Sequence, residues 1–153
     1  MSSQVSFLLD TNVLSELRKP SPDPAVVAFL QSAEPSSVYI SLLTLGEIRK
    51  GIAAKKLKDP DPNAAARIEQ WVDGLEISFA DRIVGIDTAT ARIWGRWSAQ
   101  RPRPVVDTLL AATAVHHNLT LVTRNIRDLH GISVKLYDPW SAWADSPSLT
   151  LPK

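Results

Sequence analysis

The chain has 153 residues, of which 44% are hydrophobic and 22% charged, a composition typical of one globular domain that buries its own core. Its formal net charge of +1 argues against nucleic-acid binding through a broad basic face, so any contact with a polyanion must be local or made through bound metal. The absence of cysteine excludes disulfides, thiolate metal sites and cysteine nucleophiles, and it fits a reducing cytoplasm. We expect no signal peptide, because the N-terminus has no basic region and its short apolar run ends at Asp10. We expect no contact with a membrane, because no apolar run approaches the roughly 20 residues that cross a bilayer.

Short apolar runs along the chain have the composition of buried β-strands. The first, VSFLL, ends abruptly at Asp10, as a strand covered on both faces would. The others are similarly short and are bounded by polar or helix-forming residues. The predicted strands are residues 5–9, 38–41, 83–86, 120–123 and 134–137.

Helical patterns separate these runs. Asp23 followed by Pro24 is a typical helix start, and DPDPN and RPRP are typical helix breaks. The stretch from Asp107 to His117 is apolar on nearly every side, which predicts a buried helix. The predicted helices begin near residues 12, 24, 44, 63, 88 and 107, and the first ends near residue 18.

The alternation of strands and helices predicts a three-layer α/β/α fold with a central parallel sheet. We expect one domain over residues 1–140, with a docked turn around Trp140, and a loosely ordered tail over residues 141–153. In such folds functional groups gather beyond the carboxyl ends of the strands.

Each acidic residue near a strand end has an ordinary explanation when it is taken alone. Asp10 and Asp107 are good N-caps for the helices that follow them. Glu47 completes a capping box with Thr44. The turn after residue 123 could be capped by Asn125 or by Asp128, and Asp87 could cap the helix that begins at residue 88.

Their joint position is more informative. Asp10, Glu47 and the Asn125–Asp128 segment each follow a predicted buried strand, and Asp107 begins a helix that leads into the next parallel strand. All of them should therefore lie at one edge of the sheet. Carboxylates pressed together repel one another unless a cation lies among them. Oxygen ligands without cysteine or paired histidine suit Mg²⁺ or Mn²⁺, and the chemistry that fits best is phosphodiester hydrolysis.

Other chemistries find little support. The sequence has no phosphate-binding glycine-rich loop, no H-E-x-x-H motif and no G-x-S-x-G motif. His116 and His117 lie at the end of a predicted helix, where a capping role is the simpler explanation. His130 stands alone in a predicted loop.

Five motifs follow one another along the chain: LLDTNVLSE (8–16), TLGEIRKGI (44–52), VVDTLLAATA (105–114), LVTRNIRDL (121–129) and YDPW (137–140). In this order and spacing they resemble the PIN-domain ribonucleases of the VapC toxin type. The similarity extends over nearly the whole chain to Trp140, and the motifs are specific as an ordered set.

The resemblance implies a Mg²⁺- or Mn²⁺-dependent endoribonuclease that acts on RNA, forms a homodimer and is inhibited by a cognate antitoxin. It assigns metal binding and catalysis to Asp10, Glu47 and Asp107. The fourth acidic position departs from the pattern, because Asn125 stands where many relatives have Asp. Asp128 could supply the missing charge, since a neutral Asn would hold a second metal ion less tightly than Asp.

We therefore predict that Asp10 and Asp107 bind the metal and that Glu47 also contacts the metal or activates the attacking water. Thr123, Arg124, Asn125 and Asp128 are predicted to form the edge of the pocket. One alternative is a PIN fold that has lost activity and serves as an RNA- or antitoxin-binding scaffold. Another is a haloacid-dehalogenase-like phosphatase, which needs a second Asp where this chain has Asn12.

Overall fold

Five short strands form one parallel sheet within residues 4–140, the part of the chain that the computed structural model describes. They are β1 (Phe7–Leu9), β2 (Val38–Ser41), β3 (Ile83–Val84), β4 (Thr120–Val122) and β5 (Leu136–Tyr137). Their order across the sheet is β3-β2-β1-β4-β5, which puts the first strand of the chain at the centre. Helices cover both faces, so the predicted three-layer parallel α/β fold is confirmed.

The helices alternate with the strands along the chain. A 3₁₀ turn precedes β2, and another follows β4. The helices are α1 (Thr11–Glu16), α2 (Pro24–Ser32), α3 (Leu42–Lys58), α4 (Pro62–Ser78), α5 (Thr88–Gln100) and α6 (Val105–His116).

The central strand contributes side chains to two separate hydrophobic layers, because successive residues of a strand point to opposite faces. Phe7 and Leu9 enter one core together with Phe29 of α2, which is 2% exposed. Leu8 enters the other core, which Leu110 of α6 also lines. All three β1 residues are buried, which explains the unbroken apolar run in this part of the sequence.

α3 begins two residues earlier than predicted, and this changes the interpretation of Glu47. Ser41 has extended backbone angles, and its hydroxyl accepts a hydrogen bond from the backbone N–H of Leu43 at 3.0 Å, so Ser41 is the N-cap. The hydroxyl of Thr44 is buried without a hydrogen-bond partner among the described residues. The predicted capping box between Thr44 and Glu47 is therefore wrong.

α6 also begins before the residue that was expected to cap it. Pro104 occupies the N-cap position, so Asp107 is the third residue of the helix and lies in its first turn. α1 and α4 likewise start one residue before their predicted positions. The edge strands β3 and β5 are only two residues long each, half their predicted length.

The C-terminal end of the described residues packs against the domain as expected. Trp140 contacts the core that contains Phe29, and its backbone N–H donates to Asp138 at 2.9 Å. The predicted loose tail, residues 141–153, lies outside the described residues. Within residues 4–140, none of the helices has the length and apolar character needed to span a membrane.

Candidate active site

Asp10 lies directly after the central strand, at the carboxyl edge of the sheet. The residue is 6% exposed, and its backbone N–H donates to the carbonyl of Val122 on β4 at 2.9 Å. Its Oδ1 accepts from the backbone N–H of Thr11 at 2.7 Å, and its Oδ2 accepts from the hydroxyl of Thr123 at 2.7 Å. Asp10 is also the N-cap of α1, as predicted. These bonds fix the orientation of both carboxylate oxygens.

Glu47 faces the start of α1 from the exposed side of α3. Its Oε1 accepts a hydrogen bond from the hydroxyl of Thr11 at 2.7 Å, across 36 positions of the sequence. Thr11 thus binds Asp10 through its backbone N–H and Glu47 through its side chain. Because Ser41 caps α3, the position of Glu47 has no explanation in helix capping.

Asp107 enters the same region from the first turn of α6, where it is half-buried. Burial raises the pKa of its carboxyl above the ordinary value of 3.8. The negative charges of Asp10, Asp128 and Glu47 raise this pKa further, in that order. Each of these three carboxylates therefore lies within electrostatic range of Asp107, and we call the four residues the carboxylate cluster.

The segment after β4 borders the carboxylate cluster. Thr123 is fully buried, and besides donating to Asp10 it accepts from the backbone N–H of Asn125 at 3.0 Å. The guanidinium of Arg124 stacks on the ring of Trp140, 4.8 Å from its centroid. Asp128 lies in the 3₁₀ turn Arg127–Leu129 and acts electrostatically on Asp107, which is the behaviour of a fourth charge in the cluster.

Two polar residues that contact the carboxylate cluster were not assigned a role from the sequence. Thr11 joins Asp10 to Glu47, and the amide of Asn12 donates to Asp10 Oδ2 at 3.3 Å and lies 3.5 Å from the hydroxyl of Thr123. Their position in the sequence could have indicated a role in the site, because both residues directly follow Asp10. Glu16, in contrast, is buried but holds the loop after α1, accepting from Lys19 and from the backbone N–H of Asp23.

The donor set of the cluster fits a hard divalent cation. Every candidate ligand is a carboxylate oxygen, the preference of Mg²⁺ and Mn²⁺. Burial is the largest cause of the raised pKa of Asp107, and the three neighbouring carboxylates add a repulsion that a bound cation would relieve. Asp10, Asp107 and Glu47 could hold the ion, and Asp128 could contribute through a water molecule.

Replacing Asp107 by Asn should raise the melting temperature of the metal-free protein at pH 7. A carboxyl whose pKa is raised in the folded state destabilises the fold when it is ionised. This penalty is fully present above the raised pKa and disappears as the pH falls toward the ordinary value of 3.8. The stabilisation by Asp107→Asn should therefore shrink between pH 7 and pH 4, as measured by thermal melts in a chelator.

Asp81→Asn is the matched control, because the side chain of Asp81 is 84% exposed. It should change the melting temperature little at either pH. An Asp107→Asn variant that melts at or below the wild-type temperature at pH 7 would contradict the charge accumulation at the cluster.

The fold and the site together define the class of protein, a three-layer α/β domain with a parallel sheet and acidic side chains at the carboxyl edge of that sheet. Residues 7–132 match the model of one family in that class, the PIN domain. The chain belongs to the PIN-domain family, so the resemblance seen in the sequence is confirmed.

Curated relatives are similar over nearly their full length. The toxin FitB of Neisseria gonorrhoeae is 34% identical over 139 residues, which cover 88% of this chain and 98% of that protein. The VapC ribonuclease Y4jK of Sinorhizobium fredii is 30% identical over 140 residues, covering 88% of this chain and 97% of the relative.

Solved structures show the same fold. The crystal structure of FitAcB from Neisseria gonorrhoeae has a TM-score of 0.77 at 31% identity, covering 88% of this chain and 98% of that chain. DNA-bound VapBC from Salmonella typhimurium has a TM-score of 0.69 at 24% identity, covering 89% and 99% respectively. Because the second structure is only 24% identical in sequence, its similarity supports the fold alone.

Proposed function

We propose that the chain is a metal-dependent endoribonuclease that acts in the cytoplasm as the toxin of a toxin–antitoxin pair. The observation that carries the proposal is the convergence of Asp10, Glu47, Asp107 and Asp128 at the carboxyl edge of the sheet. Membership of the PIN family and similarity to a protein named VapC ribonuclease support RNA as the substrate.

Asp10 and Asp107 are the residues that we propose to hold Mg²⁺ or Mn²⁺, with Glu47 close to them. When bound, such an ion would neutralise charge on the phosphoryl oxygens and favour ionisation of a water molecule. Asp10 is ready for this role, because bonds from Thr11 and Thr123 fix its carboxylate before any ligand arrives. A site that is oriented in advance loses less free energy on binding.

Glu47 is the group that we propose to orient and deprotonate the attacking water. Its Oε1 is bound by the hydroxyl of Thr11, which orients the carboxylate relative to Asp10. The water oxygen would form the new bond to phosphorus while the bond to the leaving ribose oxygen breaks. The proton taken up by Glu47 would pass to solvent, which also protonates the leaving oxygen.

Asp128 is our preferred residue for the fourth acidic position. Its charge contributes to the raised pKa of Asp107, whereas Asn125 is neutral and binds Thr123 through its backbone N–H. We propose that Asn125 and Arg124 border the path of the RNA, while the fully buried Thr123 positions Asp10 behind this edge of the pocket. Stacking on Trp140 holds the Arg124 cation at that border.

The surface beside the cluster also fits an inhibitory partner. Leu42 and Val105, the first residues of α3 and α6, are 55% and 57% exposed. A groove between these helices is lined by Leu42, Glu47, Lys50 and Val106, among others, so it joins apolar surface to the cluster. We propose that a cognate antitoxin lays an apolar segment here and presents an arginine to the carboxylates. The homodimer remains a prediction from the resemblance.

The test is cleavage of single-stranded RNA by the purified, partner-free chain. Millimolar Mg²⁺ or Mn²⁺ should support the appearance of fragments, and a chelator should stop it until the metal is added back. Intact RNA under all metal conditions, from a protein that melts cooperatively, would instead favour the inactive scaffold.

A further inference from the structure

Two histidines and an aspartate meet far from the carboxylate cluster. His116 ends α6, His117 is its C-cap, and Asp87 is the N-cap of α5. One ligand atom from each residue lies within 4.8 Å of the other two. Asp107 lies nine residues earlier on α6, which at about 1.5 Å per residue separates the two groups by roughly 14 Å.

The carboxylate of Asp87 is already oriented toward the histidines. Its Oδ1 accepts the capping hydrogen bond from the backbone N–H of Thr90 at 2.9 Å. Its other oxygen, Oδ2, lies 2.9 Å from Nε2 of His116. The cap therefore uses one carboxylate oxygen and leaves the second directed at an imidazole nitrogen.

The two imidazoles are held by the end of α6. The backbone N–H of His117 donates to the carbonyl of Thr113 at 3.1 Å, and Asn118 then takes a positive φ of 54° that ends the helix. The two rings pack edge to face, with their centroids 4.7 Å apart. All three side chains are accessible from solvent, so an ion could enter without rearrangement of the core.

We propose that Asp87, His116 and His117 form a second cation site, specific for a divalent d-block ion such as Zn²⁺. Bonds of about 2.0–2.1 Å from a tetrahedral ion to nitrogen or oxygen require ligand atoms about 3.3 Å apart. The observed separations are no more than 4.8 Å, so binding would shorten them by up to about 1.5 Å. The ion would replace the proton between His116 and Asp87, and water or a partner's ligand would complete its coordination.

The two groups of ligands should select different ions. The carboxylate cluster offers only oxygen and suits Mg²⁺ or Mn²⁺, whereas two imidazoles and one carboxylate favour Zn²⁺, Co²⁺ or Ni²⁺. The second site would also connect the start of α5 to the end of α6, whose packed pair covers one face of the sheet. Its ion would therefore stabilise the fold without taking part in the reaction proposed above.

The experiment is calorimetric titration of the untagged chain with Zn²⁺ while excess Mg²⁺ occupies the carboxylate cluster. We expect one Zn²⁺ per chain and a higher melting temperature on binding. Removing one ligand should weaken binding by about 100-fold or more, because even outer-shell partners of a metal contribute about 10–100-fold. The variants that test this are His116→Gln and His117→Gln. As a second readout, Co²⁺ bound in place of Zn²⁺ should give visible absorption in the wild type and not in either variant.

His130→Gln is the matched control, because His130 is the third histidine of the chain and is not part of the group. It should bind Zn²⁺ as the wild type does. If a histidine variant melts abnormally without metal, Asp87→Asn takes its place, since Asn retains an oxygen for the cap but loses the charge. Absence of Zn²⁺ binding in the presence of Mg²⁺, or equal binding by the wild type and the ligand variants, would overturn the proposal.

Discussion

Replacing Glu47 by Gln should lower RNA cleavage by about 10²–10⁴-fold, the usual contribution of a general base. Gln retains an oxygen that can accept the hydrogen bond from Thr11, so the start of α1 keeps its contact with α3. It cannot take a proton from water. The measurement is initial cleavage rate on a defined RNA with saturating metal, together with a thermal melt of the same preparation.

The melt separates a catalytic role from a structural one. Glu47 is exposed and does not cap α3, so its replacement should change the free energy of unfolding by no more than about 0.5 kcal/mol. Glu69→Gln is the matched control, because Glu69 is a surface residue of α4 that pairs with Lys56. Wild-type cleavage by Glu47→Gln would refute its proposed role, while the metal site could still stand.

Replacing Phe29 by Ala should cost about 3–5 kcal/mol of stability, the range for deletion of a buried aromatic ring. Phe29 is 2% exposed and lies between two rings, with centroid distances of 5.1 Å to Phe7 and 4.9 Å to Tyr137. It therefore joins the central strand to the edge strand β5. For a chain of this length the loss corresponds to a fall in melting temperature of about 6–20 °C.

Leu57→Ala is the control for this prediction, because Leu57 is 87% exposed and its truncation should matter little. Both variants are compared with the wild type by thermal and urea melts in a chelator, so that metal binding does not contribute. A fall of less than about 3 °C for Phe29→Ala would mean that the core closes around the deleted ring.

Strand identity and sheet direction were predictable because they depend on signals that the chain carries locally. A buried parallel strand needs apolar side chains on both faces, and Phe7, Leu8 and Leu9 are read directly as such a run. The edge strands were predicted too long. Residues 83–86 and 134–137 have strand-like composition, but an edge strand pairs on one side only, and pairing stops after two residues.

Helix starts were less predictable, because several residues in succession were suitable caps. Ser41 and Thr44 both have hydroxyls that can cap α3. Which of them is the cap depends on where β2 ends, and β2 ends at Ser41. For α6 the sequence favoured Asp107 as the cap, but Pro104 occupies that position. For Glu47 the correction removes the explanation by helix capping, whereas Asp107, in the first turn of α6, keeps a favourable interaction with the helix dipole.

The candidate site was predictable as a set of residues but not as a geometry. The parallel direction of the strands brings Asp10, Glu47 and Asp107 to one edge, because two of them follow a strand and the third begins a helix that leads into one. The contact of Thr11 with Glu47 depends on how α1 packs against α3, and no local pattern reports that. The choice of Asp128 over Asn125 likewise depends on the path of the 3₁₀ turn after β4.

The central position of the first strand has a consequence during synthesis on the ribosome. The hydrogen bond between Thr123 and Asp10 joins residues 113 positions apart, and β1 pairs with β4 over the same interval. Contacts this distant in sequence form late, because closing a long loop costs entropy before any pairing repays it. A nascent chain therefore carries Asp10 without its partners until β4 and Thr123 have been made. The acidic edge assembles only after synthesis has passed that segment.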